Sequence, residues 1–207
     1  MVGVDVDSYA VETTGKRLGI YGLSCELKEL NVADIQDKYH TGYFDMIIFS
    51  ASLEHMTLYE RTTAIKAAYD LLQQGQFLIV LQTPNRLWHY DYHTSLTPFF
   101  NWLPDDLAME YSRFTPRTNF NRGFDKCSEK DVLRFLRHGR SISYHDFDFA
   151  LGSANLGEGK LMVTSGMSDF FDVPYDEFKK LLMKVGPQQI HNGFYDQTLN
   201  IALKKVT

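Results

Sequence analysis

Short apolar runs alternate with amphipathic stretches over the first 85 residues of the chain. The apolar runs predict strands over residues 2–6, 25–30, 45–50 and 76–82. Between them, Ser8 is the expected cap of a helix that runs to about Leu18 or Tyr21, and apolar positions at helical spacing predict a second helix over residues 58–72, ending near Gly75. Strands that are apolar on both faces and separated by helices are typical of a parallel sheet covered by crossover helices. The pattern therefore predicts an α/β fold.

The second half of the chain is less regular. Residues 85–127 are rich in aromatic residues, His and Pro, with a helix signal only at 104–111, and we interpret them as an insertion or substrate lid. A helix is expected from Ser128 to about His138, and the alternation over residues 142–151 predicts a strand.

The chain closes on a predicted helix and strand. The helix is expected over residues 175–185, with Lys179, Lys180 and Lys184 facing outward, and the strand over residues 199–204. A closing antiparallel hairpin is the arrangement we expect for the end of the sheet.

Composition narrows the range of functions. The 207 residues, 44% hydrophobic, fit one domain over 1–207. A net charge of −5 argues against nucleic-acid binding, which needs a dense basic surface. Cys25 and Cys127 belong to no metal-ligand spacing, so no metal site is predicted. No stretch is apolar for long enough to cross a membrane, and we expect a cytoplasmic protein.

Polar residues follow the predicted strands at the edge where a parallel sheet binds ligands. Asp5 can accept hydrogen bonds from a ribose diol, or can simply cap a helix or turn. Asp34 can accept from an adenine amino group, or can bind its own backbone in a turn. His55 can act as a base or substrate contact, or can be a histidine with satisfied hydrogen bonds at a helix start.

The order of four segments carries more information than any single residue. VGVDVDS, LNVADI, FDMIIFSASLEHM and LLQQGQFLIVLQTPN follow one another over residues 2–85. This succession resembles the class I S-adenosylmethionine-dependent methyltransferases, which carry similar segments in this order at similar separations. The resemblance implies a Rossmann-like fold and S-adenosylmethionine as the cofactor.

The same resemblance implies a role for six residues. Asp5 would hold the ribose hydroxyls, and Val6 would pack against the adenine. Asp34 and Ile35 would contact the adenine edge, and Ser50 with Ala51 would border the methionine portion.

The family's first strand and glycine-rich loop should come before VGVDVD, whereas this sequence starts at the second strand. We therefore expect an N-terminally truncated chain in which the first strand is absent. Because that strand is central in the family's sheet, its absence should leave unpaired backbone groups in the core.

The aromatic segment after residue 85 is where an acceptor would approach the methyl group. Methyl transfer to a hydroxyl or amine needs alignment and a base. His55 and His93 are our candidate bases, with Asp91 as an orienting or second candidate, although these side chains can also serve only local packing and hydrogen bonding. The aromatic lid favours a small-molecule acceptor.

Two other functions fit parts of the sequence. A non-catalytic remnant could act as a binding or dimerisation module, and a homodimer is among the expected assemblies. Tyr175 and Lys179 match the Tyr-x-x-x-Lys spacing of NAD-dependent dehydrogenases, but they come too late in the chain for that family.

Overall fold

The computed structural model describes residues 1–152, 161–167 and 177–206. It is an α/β structure, as the apolar pattern predicts. The strands are β1 (Val2–Asp5), β2 (Glu26–Glu29), β3 (Phe44–Ser50), β4 (Leu72–Pro84), β5 (Leu161–Gly166) and β6 (Thr198–Lys205). The α-helices are α1 (Ser8–Ile20), α2 (Leu58–Leu71), α3 (Asp105–Tyr111), α4 (Glu129–Arg137), α5 (Tyr144–Leu151) and α6 (Glu177–Val185).

The strands form two sheets. β1 pairs with β2 in parallel, and the second sheet has the order β3-β4-β6-β5. β3 and β4 are parallel, while β6 runs antiparallel to both β4 and β5. The parallel pairing of the early strands and the antiparallel pairing at the end of the sheet are therefore confirmed, but β5, which pairs with β6, is a strand that the apolar pattern did not predict. Within the described residues, β1 and β3 share no ladder, so each of them has a paired neighbour on one side only.

A shared apolar cluster connects the two sheets. Its buried members come from the turn after β2 and from α2, and the strands β1 and β3 pack against it with partly buried side chains. The buried residues are Ile35, Tyr39, Ala67 and Leu71, and the strand residues are Val2, Val4, Phe44 and Ile47. Burial of this cluster holds the short first sheet beside the larger one.

The predicted strand over 142–151 is wrong, because this segment forms helix α5. The Asp146 carboxylate caps this helix by accepting from the Ser143 N–H at 2.8 Å. Phe147 and Leu151, one helical turn apart, are both buried in the main core. The apolar positions over residues 142–151 also fit a helical period, and the capping interaction at Ser143 favours the helix.

Two further local predictions need correction. Asp7, rather than Ser8, caps α1 by accepting from the Tyr9 N–H at 2.9 Å. Lys179 is buried and bonds to the Asp196 carboxylate, whereas Lys180 is exposed and pairs with Glu177, as an outward lysine should. Tyr175 lies outside the described residues.

The segment over 85–127 has its own apolar cluster, separate from the main core. Five of its side chains pack with Phe135 of α4, and they are Phe100, Ala108, Met109, Phe120 and Phe124. The buried Arg140 guanidinium lies over Phe100 and donates to the Asp105 carboxylate at 2.9 Å. This aromatic packing fixes the segment against α4. No helix within the described residues is both long and apolar enough to cross a lipid bilayer.

Candidate active site

The residues assigned to the ribose and adenine lie at the carboxyl end of the first sheet. Asp5 ends β1, is exposed, and accepts from the Asp7 N–H at 2.9 Å through Oδ1. Val6 is exposed beside it. An exposed carboxylate in this position can accept further hydrogen bonds from hydroxyl groups.

The turn after β2 places Asp34 and Ile35 in different environments. Both belong to a 3-10 helix over Val32–Asp37, which Asn31 caps by accepting from the Ala33 N–H at 3.0 Å. Asp34 is exposed, but the Ile35 side chain is buried against Tyr39. Ile35 could therefore contact a ligand through its backbone, while its side chain serves the core.

Ser50 and Ala51 lie at the carboxyl end of the second sheet. Ser50 ends β3 opposite Leu81 of β4, and the Ala51 N–H donates to the Leu81 carbonyl at 3.0 Å. Ala51 has a φ of +46°, which turns the chain sharply away from the strand. Both residues are exposed. The six predicted cofactor residues thus divide between the two sheets, at strand ends or in the turns that follow them.

A compact cluster of ionisable side chains lies just beyond this turn. Glu54 and His55 belong to a 3-10 helix over Leu53–His55, and His93 comes from the aromatic segment. The Glu54 Oε1 atom is 3.8 Å from His55 Nε2 and 4.0 Å from His93 Nε2. The structure therefore brings together the two histidines that the sequence proposes as bases, 38 positions apart in the sequence, and adds a carboxylate.

Hydrogen bonds assign the same tautomer to both imidazoles. His55 Nδ1 lies 2.9 Å from the Arg137 carbonyl, which can only accept, so Nδ1 carries the proton. His93 Nδ1 lies 3.0 Å from the Thr94 hydroxyl, whose own proton is directed to the Gly139 carbonyl at 2.7 Å. The hydroxyl therefore accepts from His93 Nδ1. In the neutral state, both Nε2 atoms then carry a free lone pair on the side facing Glu54.

Glu54 is a buried carboxyl group. Its side chain is 0% exposed, and among the described residues no donor of another residue hydrogen-bonds to either oxygen. Burial raises the pKa of Glu54. Burial, followed by the proximity of His55, lowers the pKa of His93, so that its imidazole favours the neutral form. A carboxyl group and neutral imidazoles at this separation can exchange protons with a bound molecule or share a cation.

A tight turn positions His93. The Asp91 carboxylate accepts from the backbone N–H groups of His93 and Thr94 at 3.0 Å and from that of Ser95 at 2.7 Å. The Arg117 guanidinium donates to the His93 carbonyl. Asp91 is 1% exposed, and its hydrogen bonds hold the backbone that carries His93.

Backbone contacts fix the other side of the cluster. The Arg137 guanidinium donates to the His55 carbonyl at 2.8 Å, and the Arg140 N–H donates to the Glu54 carbonyl at 2.8 Å. Three separate parts of the chain therefore build the site: the turn after β3, the aromatic segment, and the connection between α4 and α5. The segment FDMIIFSASLEHM contains Glu54, but nothing local in the sequence indicates that its carboxylate is buried or that residues 137–140 are its neighbours.

A cavity of about 340 Å³ opens beside the aromatic segment. Its lining combines apolar groups with a few polar ones: Arg86, Leu87, Asn101, Trp102, Ser143, His145 and Leu182. Arg86 and Leu87 follow β4 almost directly, so this cavity lies at the carboxyl end of that strand. Its volume is that of a small-molecule site.

Comparison with known proteins finds a family similarity in the first part of the chain. Residues 1–80 match the family described as Methyltransferase domain. No curated protein sequence matches the chain at a significant level. The match begins at β1 and ends within β4, so it covers the elements that carry all six predicted cofactor residues.

Solved structures agree at the level of the fold. A provisionally named methyltransferase from Bacillus halodurans C-125 is 12% identical, with a TM-score of 0.50, covering 100% of this chain and 83% of that one. PKMT2 from Rickettsia typhi, solved in complex with AdoHcy, is 16% identical, with a TM-score of 0.52, covering 99% and 43%. The chain spans 28% of another match, the [4+2]-cyclase SpnF, which is 23% identical with a TM-score of 0.35 over 38% of this chain. The Rossmann-like fold is confirmed, and the resemblance to methyltransferases is supported over residues 1–80.

Proposed function

We propose that this chain, whose first 80 residues match a methyltransferase domain, transfers a methyl group from S-adenosylmethionine to a small molecule. The observation that carries the proposal is the position of the predicted cofactor residues within the matched region. Asp5, Asp34, Ser50 and Ala51 are all exposed, at the strand ends or in the turns after them, where a doubly wound sheet binds nucleotides.

The acceptor would be deprotonated at the cluster of Glu54, His55 and His93. His93 is the preferred base, because its Nε2 atom carries the lone pair and burial keeps the imidazole neutral near pH 7. His55 presents the same atom to the same side. Asp91 contributes by holding the turn that carries His93.

A small acceptor is favoured over a nucleic acid for two reasons. The net charge of −5 supplies no broad basic surface, and the cavity beside residues 85–127 has the size of a small-molecule site. The aromatic segment would close over the acceptor as a lid. The homodimer and the cytoplasmic location stay predictions.

A second candidate, a non-catalytic binding module, has one structural observation in its favour. β1 and β3 each pair on one side only within the described residues, so the first sheet relies on the shared apolar cluster to stay in place. A cofactor site divided between two sheets would then be less rigid, and rigidity of the binding groups is what cofactor affinity requires.

Titration calorimetry with S-adenosylmethionine and S-adenosylhomocysteine tests both candidates. We expect both ligands to bind, and Asp5→Asn to weaken binding by about 1.5–3 kcal/mol, because charge-assisted hydrogen bonds to the ribose would be lost. Asp106→Asn, an exposed aspartate of α3, is the matched control and should bind like the parent.

The two possible failures have different meanings. Unchanged affinity in Asp5→Asn would remove Asp5 from the site while leaving the cofactor in place. Binding of neither ligand by the folded parent chain would contradict methyl transfer by this chain and favour the binding module.

A further inference from the structure

We propose that Glu54, His55 and His93 form a binding site for one divalent transition metal ion. The ligand atoms would be a carboxylate oxygen of Glu54 and the Nε2 atoms of the two histidines. One ligand atom from each residue lies within 4.8 Å of the others. This inference concerns metal binding itself and goes beyond the methyl transfer proposed above.

The separations fit an ion placed between the ligand atoms. Glu54 Oε1 is 3.8 Å from His55 Nε2 and 4.0 Å from His93 Nε2, which is too long for hydrogen bonds. Zinc binds histidine nitrogen at about 2.0–2.1 Å and carboxylate oxygen at about 2.0–2.2 Å, so two ligands of one ion lie no more than about 4.3 Å apart. Both separations from Glu54 fall within that limit, and the ligand atoms of the two histidines lie within 4.8 Å of each other.

The second interactions of both imidazoles are those of metal ligands. Histidines that bind metals donate their other ring N–H to a carbonyl, carboxylate or similar acceptor, which fixes the tautomer and the ring. His55 donates to the Arg137 carbonyl at 2.9 Å, and His93 donates to the Thr94 hydroxyl at 3.0 Å. Both rings are thus held with the metal-binding nitrogen toward Glu54.

The charge of Glu54 is otherwise unmatched. The carboxylate is fully buried, and an isolated buried charge is costly without a cation or a change of protonation. The nearby guanidinium groups are engaged elsewhere. Arg137 pairs with Glu60 at 2.6 Å, and Arg140 pairs with Asp105 at 2.9 Å. A divalent ion bound beside Glu54 would supply the missing positive charge.

The donor set defines the class of ion and leaves it accessible. Two imidazole nitrogens and one carboxylate oxygen suit zinc, iron or other first-row divalent ions better than calcium or magnesium, which prefer oxygen ligands. The His55 and His93 side chains are 39% and 32% exposed, so an ion there would keep positions for water or another ligand. Three protein ligands with an open position are typical of catalytic rather than structural zinc.

Metal binding would change how the proposed methyl transfer proceeds. A bound ion would occupy the Nε2 lone pairs of His55 and His93, so neither histidine could then act as the base. The ion would instead lower the pKa of an acceptor hydroxyl group bound to it. This consequence rests on the proposed function, whereas the presence of the site does not. Binding of metal without binding of S-adenosylmethionine would support the site and contradict the methyltransferase.

Calorimetric titration of the chelator-treated full chain with Zn²⁺ tests the proposal. We expect one ion per chain, and a loss of affinity of at least about tenfold in Glu54→Gln and in His93→Gln, since each removes a direct ligand. His40→Gln, at an exposed histidine outside the cluster, is the matched control and should bind like the parent. Circular dichroism verifies that each variant is folded.

A spectroscopic titration avoids dependence on the variants. Co²⁺ added to the parent chain should give visible absorption bands of nitrogen and oxygen ligation, and one equivalent of Zn²⁺ should abolish them. Absence of Zn²⁺ binding and of Co²⁺ bands in the folded parent would overturn the proposal. Equal Zn²⁺ affinity in folded His93→Gln and the parent would overturn it as well.

Discussion

Gly139 leaves the space that the His93 imidazole occupies. Its φ is +107°, and a Cβ atom added there would lie 2.7 Å from His93 Cε1 and 2.8 Å from His93 Nδ1. Contacts this short force the ring or the backbone to move. The Gly139 carbonyl also accepts from the Thr94 hydroxyl at 2.7 Å, the same hydroxyl that orients His93. The missing side chain of Gly139 therefore makes room for His93, and its carbonyl, with that of His138, orients the hydroxyl that His93 contacts.

Gly139→Ala should displace His93 and weaken Zn²⁺ binding about tenfold or more, as the loss of ligand orientation does in metal sites. It should also destabilise the chain by about 1–3 kcal/mol through overpacking. Gly123→Ala is the matched control, because Gly123 has a φ of +71° but nothing within 4 Å of its added Cβ. Urea unfolding and Zn²⁺ titration of both variants make the comparison, and equal Zn²⁺ affinities would contradict the steric argument.

At the scale of single residues, the sequence shows which residue types are present and where they follow strands. It proposes His55 and His93 as bases from their positions after strands, and the structure brings them together. Glu54 is missed although it stands between Leu53 and His55, because the burial of its carboxylate depends on residues 137–140, about 85 positions away. Long-range packing of that kind leaves no local pattern.

At the scale of elements, the start of α2 is joined to the end of α4. Thr57 and Glu60 form a capping box in which the Glu60 carboxylate accepts from the Thr57 N–H at 2.8 Å. The Arg137 guanidinium donates to both Glu60 oxygens, at 2.6 and 2.7 Å, and to the His55 carbonyl. The carboxylate thus serves a helix cap and an ion pair at once.

This ion pair predicts a dependence of stability on acid pH. Hydrogen bonds from Arg137 lower the pKa of Glu60 from 4.5 to about 2 in the folded chain. The stabilisation is therefore present above pH 4.5 and is lost as the pH falls from 4.5 toward 2. The unfolding free energy of Glu60→Gln should be lower than that of the parent at pH 7. The difference between the two should shrink as the pH falls from 4.5 toward 2.

Urea unfolding measured from pH 2 to 7 checks the Glu60 prediction. Glu12→Gln removes the same charge from an exposed pair with Lys16 on α1, and its curve should run nearly parallel to that of the parent. A constant gap between Glu60→Gln and the parent across the acid range would contradict the role given to Arg137.

Helices and strands are predicted well where the apolar period is unambiguous. They are predicted less well where a helix cap or a distant ion-pair partner determines the structure. β3, β4 and α2 follow directly from their apolar runs. The segment that forms α5 fits two periods, and only the Ser143–Asp146 cap selects the helix. The sequence predicts that Lys179 lies on the surface. Its buried ammonium group instead donates a hydrogen bond to the carboxylate of Asp196, which lies in the segment before β6.

Across the whole molecule, stability is unevenly distributed between the two sheets. Within the described residues, α1 has no buried side chain, and Tyr9, Ile20 and Tyr21 are highly exposed. The central strands β4 and β6 instead carry fully buried residues such as Leu78 and Leu203. Burial of apolar surface is the main source of stability, so the first sheet should open at a lower free energy than the second.

Native-state hydrogen exchange measures this difference directly. The amide groups in the β1–β2 ladder should exchange faster than those in the β4–β6 ladder, with protection for the second set approaching that of global unfolding. S-adenosylmethionine, if it bridges the two sheets, should slow exchange in β1 and β2 selectively. Equal protection of both ladders in the free chain would contradict the uneven distribution.

The Glu54–His55–His93 cluster joins distant parts of the chain. The His55–Arg137 hydrogen bond connects positions 82 residues apart, and the Thr94–Gly139 bond connects positions 45 residues apart. Closing such loops carries an entropic cost that only the finished fold repays. The cluster should therefore assemble among the last events of folding. Metal binding would then distinguish fully folded chains from incompletely folded ones and from chains that a protease has cut in the segment that carries His93.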